Sequence, residues 1–342
     1  MGKNMGNNVS CINTEKETED LDLTPKNDVI SFMRKPVKKQ PVNLSLFSLL
    51  KDKMNKLNIT IKTITKEYIN NLIEKNPHAN SIIESYTSEL KSLFNSSEHL
   101  NYLPPLQFIN NNDNSIEYYE GEYNSQGEFN GIGLHLFDKN CIYLGQFEKD
   151  QYNGKGLLIS NEGNSLFGDF IQGECTGNGH LIILGQSDYN GQFNNNQKNG
   201  YGVEKYMDNS IYEGNFVNGD KCGQGKYTFS NGEYYQGNFK DDLYEGEGIY
   251  QWPQEGRKYQ GQFHLGNIEG KGTTEYYDGS IYKGNYVGGI KQGEGTFTWN
   301  NGQTFEGNWL NNELHGKGIL TVDGNKFEIV YRFGKIISSR II

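Results

Sequence analysis

The chain has 342 residues, a formal net charge of -10, 13% aromatic residues and 43 glycines against 7 prolines. Its four cysteines, Cys11, Cys141, Cys175 and Cys222, show no C-x-x-C spacing and follow no secretory leader. That supports neither a disulfide framework nor a zinc site and makes a reducing cytosol the expected compartment. No apolar run approaches the roughly 18 residues of a membrane helix, so a soluble or peripheral protein is expected.

Residues 1–42 read as a disordered tail, polar, with an acidic run over 15–22 and a basic cluster of Arg34, Lys35, Lys38 and Lys39. Its first stretch, MGKNMGNNVSC, offers Gly2 as a myristoylation candidate, although Gly6 stands where Ser or Thr is preferred. One such chain anchors weakly, and Cys11, if palmitoylated, or the basic cluster on an anionic membrane surface would be the second signal. Over 43–100, three stretches carry apolar residues at helical spacing: Leu46 to Leu57, Ile61 to Leu72, and Ile82, Ile83, Tyr86, Leu90, Leu93 and Phe94. They predict an amphipathic helical segment that packs on itself and caps the first hairpin, with partner binding, dimerisation or lying on a membrane surface as the alternatives. YLPPLQF from Tyr102 ends it, because two prolines forbid a continued helix. Residues 101–118 are therefore expected to be a linker.

From Tyr119 a five-residue pattern recurs, as YEGEY at 119, YLGQF at 143, YQGNF at 235, YKGNY at 282 and FEGNW at 305. Nine copies start 24, 23, 23, 23, 23, 24, 23 and 23 residues apart, and each is followed by a Gly-x-Gly such as Gly293 and Gly295. Within a copy the period is two: Tyr282, Gly284 and Tyr286 share one face of a strand, and Lys283 and Asn285 share the other. NGQ at 301 and DGS at 278 are hairpin turn signals, one per copy. A three-residue loop Asn300–Gly302 with Gly302 left-handed sets Phe297 opposite Phe305, Gly295 opposite Gly307 and Gly293 opposite Trp309. The glycines on the aromatic face then make room for a ring of the next hairpin.

These copies resemble MORN (membrane occupation and recognition nexus) repeats, whose pattern is Y-x-G-x-[FYW] followed by G-x-G. The resemblance implies a mainly β fold, an elongated, twisted antiparallel sheet or solenoid of tandem β-hairpins over 119–342. Leu166 departs from the pattern in the third copy. FEIVY from Phe327 has lost its glycine and reads as a C-terminal cap.

From Glu117 onward 18 basic residues face 29 acidic ones, net -11, which argues against nucleic acid as a partner. The six histidines are scattered, the Gly-x-Gly motifs lack a following helix or G-K-[ST], and no cofactor or metal is implied. MORN arrays also occur attached to phosphoinositide kinase or SET-type methyltransferase domains, and with about 16 residues after Lys326 neither is expected here. The expectation is a non-enzymatic scaffold that binds protein partners, with Tyr259, Tyr282, Phe305 and Trp309 as contact candidates and a second copy as a further partner. Membrane-associated cytoskeleton, cilium or cell cortex is the expected location. The alternative function is a peripheral membrane tether held by N-terminal acylation and the basic cluster.

Overall fold

A computed structural model describes residues 102–109, 116–137 and 141–342. The tail and helical segment expected over 1–100 lie outside the described residues, and among those described there is no helix. The fold is mainly β, with every strand pairing antiparallel.

Two compact units are formed. One takes the described residues up to Asp208 together with Phe216–Gly219; the other takes Asn209–Asn215 and Asp220–Ile342. The first holds β1 (Tyr102–Ile109), β2 (Ile116–Tyr123), β3 (Phe129–Phe137), β4 (Cys141–Glu148), β5 (Gln151–Ile159), β6 (Ser165–Ile171), β7 (Glu174–Ile183), β8 (Ser187–Asn194) and β9 (Gln197–Tyr206). β10 (Ile211–Val217) falls at the division. The second unit continues with β11 (Asp220–Thr228), β12 (Tyr234–Lys240), β13 (Leu243–Trp252), β14 (Arg257–His264), β15 (Asn267–Glu275) and β16 (Ile281–Val287). It ends with β17 (Ile290–Thr298), β18 (Thr304–Leu310), β19 (Glu313–Val322), β20 (Asn325–Arg332) and β21 (Lys335–Ile341).

The expected register holds. Phe297 lies opposite Phe305, Gly295 opposite Gly307 and Gly293 opposite Trp309. Gly302 has φ +82° and closes the loop by donating to the Trp299 carbonyl. Each copy after the first also has a second connection, of two residues that both have positive φ, as at Asn311–Asn312 and Gly288–Gly289, whereas the first copy uses the longer Asn124–Glu128 with only Gly127 at positive φ. Such turns match the twist of paired strands, and Asn, Asp and Gly tolerate them. Two turns per copy make two strands per copy.

The linker expected over 101–118 is corrected: it contains β1. Leu106 pairs with Tyr119 and Leu103 with Gly121, and the jump in register between them absorbs Pro104 and Pro105. Prolines bring no N–H to a ladder and so sit where pairing is already broken. At the other end Ile329 stands opposite Gly318, where the other copies pair two glycines. Its neighbour Tyr331 meets the Phe305 ring edge-on at 5.3 Å, while β21 is exposed along its whole length.

Candidate functional site

One face of each unit is a layer of rings. Tyr282 meets Tyr286 edge-on at 5.3 Å and Trp309 at 5.0 Å, and Tyr259 meets Tyr286 at 5.3 Å, the geometry that ring quadrupoles favour. Each leading tyrosine lies over two glycines, one two residues on in its own strand and one in the strand after it. A Cβ on Gly284 or Gly295 would stand 2.6 Å or closer to the Tyr282 side chain. In the copies that begin with tyrosine the covering ring thus comes from the glycine's own strand or the preceding one, a correction to the expected next hairpin.

In all seven copies that begin with tyrosine, the hydroxyl donates to the carbonyl three residues on, at 2.8 to 3.1 Å. A buried hydroxyl needs such a partner, and burial holds that of Tyr282 well above its ordinary pKa.

The first glycine of each Gly-x-Gly serves a different purpose. Gly293 has φ +82°, and four residues of β17 there span what two residues of β16 span. The amide of Asn285 donates to the freed Glu294 carbonyl at 3.0 Å, and in another copy Gln262 accepts from the Lys271 N–H at 3.0 Å. Asn or Gln after the glycine is therefore a bulge tie. Glu122 fills that place in the first copy, and burial pushes its carboxyl above the ordinary value.

Tyr259, Tyr282 and Phe305 are 0% exposed and Trp309 is 2%. These four partner-contact candidates are core residues, because their copies stack ring against ring, and none offers surface to a partner. Buried lysines join the same layer: the Lys291 ammonium lies 5.0 Å from the Tyr276 ring centre and 5.5 Å from that of Tyr282. Gly2, Cys11, Arg34, Lys35, Lys38 and Lys39 lie outside the described residues.

Among the described residues the histidines do not converge. His135 is held in the core between Glu117 (2.8 Å) and Tyr152 (3.0 Å), whereas His180 pairs with Asp188 and His264 with Glu245. Among the described residues no group of three or more His, Cys, Asp or Glu could hold a metal ion, and no helix is long and apolar enough to cross a membrane.

What remains for recognition is the second face. In the second unit it forms an open trough of about 1030 Å3, lined along its middle by the glycine backbone at Gly261, Gly272, Gly284, Gly295 and Gly307. One side is the row Gln260, Thr273, Lys283, Thr296, Glu306 and Ile319. The other contains Glu247, Lys271, Glu294 and Lys317, the central residues of four successive Gly-x-Gly motifs, which alternate in sign. Their alternation is visible only when the copies are aligned.

A family model of the MORN repeat matches residues 143–165, 189–211, 212–234, 235–257, 259–281, 282–304 and 305–326. It matches seven of the nine expected copies; those beginning at Tyr119 and Leu166 are not matched. Leu166 brings no ring, and a Cβ on Gly168 would meet the Cys175 sulfur at 2.9 Å. No curated protein matches the sequence. Among solved structures, the SAS-4 (dCPAP) TCP domain of Drosophila melanogaster, in complex with a proline-rich motif of Ana2 (dSTIL), is similar at 15% identity over 46% of this chain and 85% of that chain. Its TM-score of 0.30 is too low to carry an argument about this chain.

Proposed function

Because this chain belongs to the MORN-repeat family, we propose that it is a non-enzymatic scaffold that binds an elongated protein partner along the trough of its second face. The observation that supports this is the alternation Glu247, Lys271, Glu294, Lys317. Successive members are two strands apart, on the order of 10 Å. That interval equals about three residues of an extended chain or about seven of a helix, so a rod-like partner can present charges of opposite sign in step. Matched charges across an interface select partner and register more than they add affinity. An elongated partner also suits the membrane-associated cytoskeleton, cilium or cell cortex.

The test uses the full chain as bait in extract of its native cell. Lys271→Glu with Lys317→Glu makes the row uniformly acidic, and Arg340→Glu, outside the trough, is the control. Proteins retained by the wild type and the control should be lost from the double variant. Identical retention by all three would refute the trough as the seat of binding.

A further inference from the structure

The first unit's second face is unlike a solvated one. Two rows run across it in register: Leu134, Leu144, Leu157 and Phe167, and beside them Leu136, Ile142, Ile159 and Ile182, with Ser165 between the last two. Ile142, Leu157 and Ile159 form a buried cluster against which the others pack. Leu157 and Ile319 occupy the same place in their copies, after the second glycine on the face away from the tyrosines. Leu157 is 1% exposed and Ile319 is 36%. A strand apolar on both faces, as in Leu157-Leu158-Ile159, belongs to a sheet covered on both sides. The described residues supply one cover, the ring layer.

We propose that the apolar second face of β3–β7 is the docking surface for a segment of this same chain, the amphipathic stretch Ile82–Phe94. Its apolar residues, Ile82, Ile83, Tyr86, Leu90, Leu93 and Phe94, fall on one stripe at helical spacing and need an apolar partner. The connection permits it. Residues 95–101 lead from Phe94 to the start of β1, a reach of up to about 24 Å. β1 pairs with β2 and β2 with β3, so β5 lies four strand spacings from β1, on the order of 19 Å. The stretch can therefore return across the face on its own tether. This seat differs from the end-cap position expected from sequence: it covers the broad side of the sheet and leaves the trough of the second unit open.

Hydrogen–deuterium exchange on the full chain tests this, with the mass measured by sedimentation at each concentration. In the wild-type monomer the amides of 82–94 should exchange at least about tenfold slower than unprotected ones. Leu90→Lys with Phe94→Lys should remove that protection and speed exchange in β4–β6, while β16–β18 are unchanged. Phe167→Lys should release 82–94 from the other side, and if that substitution unfolds β6 the segment variant still decides. Unprotected amides over 82–94 in the wild type would overturn the proposal, as would unchanged exchange in β4–β6 of the segment variant. Protection that disappears on dilution as a dimer dissociates would also overturn it, by making a second copy the occupant.

Discussion

At the scale of single residues, two glycines two positions apart do different work. Gly293 has φ +82° and room for a Cβ, the nearest atom being Asn285 Nδ2 at an ordinary contact distance of 3.8 Å. Gly295 has an ordinary backbone but lies under the Tyr282 ring. Asparagine tolerates the left-handed region better than alanine does, so Gly293→Asn should cost less than Gly293→Ala. At Gly295 the order should reverse, because the added bulk meets the ring. Gly295→Val should cost roughly 1 to 3 kcal/mol by overpacking, and Thr296→Val, on the other face, under about 0.5 kcal/mol. Thermal melting of the variants checks this, and the same order of Asn and Ala at both glycines would show that one cause had been split in two.

At the scale of elements, the copies are joined by the two-residue turns as well as by the ladders. Asn312 donates its N–H to the Lys291 carbonyl at 3.2 Å, and its Oδ1 accepts the Lys291 N–H at 2.8 Å. Asp150 makes the same pair with Phe129, Asn196 with Cys175 and Asp242 with Lys221, each 21 residues back. Asn312→Gly keeps the backbone conformation, loses the acceptor and should cost about 1 kcal/mol. Asn312→Asp should stay near wild type, and Asn312→Ala should cost about 1 to 2 kcal/mol beyond the glycine variant because alanine resists positive φ. Chemical denaturation gives the order, and a glycine variant as stable as wild type would mean that the side-chain bond contributes nothing. These turns also mark where the sequence stops being legible. The loop at Gly302 announces itself by a glycine after Asn-Asn, and its register could be derived residue by residue. The connections at Lys149–Asp150 and Asn311–Asn312 carry no glycine and look like ordinary polar surface, so their alternation with the longer loops was hidden. The burial of the candidate contact rings is hidden for a related reason. Tyr282 is an exposed aromatic on a lone hairpin and becomes core only through Tyr259, Tyr286 and Trp309, which arrive from other strands. The run Leu157-Leu158-Ile159 did signal burial on both faces, but two-residue alternation elsewhere in the repeats masked it.

At the scale of the whole molecule, charge sets which surfaces can approach a membrane. The repeats carry net -11 from Glu117 onward, whereas Arg34, Lys35, Lys38 and Lys39 concentrate four positive charges within six positions. Each basic residue at an anionic bilayer contributes about 1 kcal/mol, so four amount to roughly a thousandfold in partitioning. The acidic array cannot cancel this from a distance, since charges further apart than a Debye length of about 8 Å at physiological salt are largely screened. Unacylated full-length protein should therefore float with phosphatidylserine vesicles at low salt and be released near 1 M salt, where that length shrinks to about 3 Å. Replacing the four residues with glutamine should abolish flotation, whereas Lys258→Gln with Lys283→Gln on the trough should leave it unchanged. In cells, Gly2→Ala then isolates whatever an acyl chain adds to the electrostatic part. Flotation that survives the fourfold substitution would place membrane affinity in the repeats themselves, and the trough would have to be reconsidered as a lipid-facing surface instead of a seat for a protein rod.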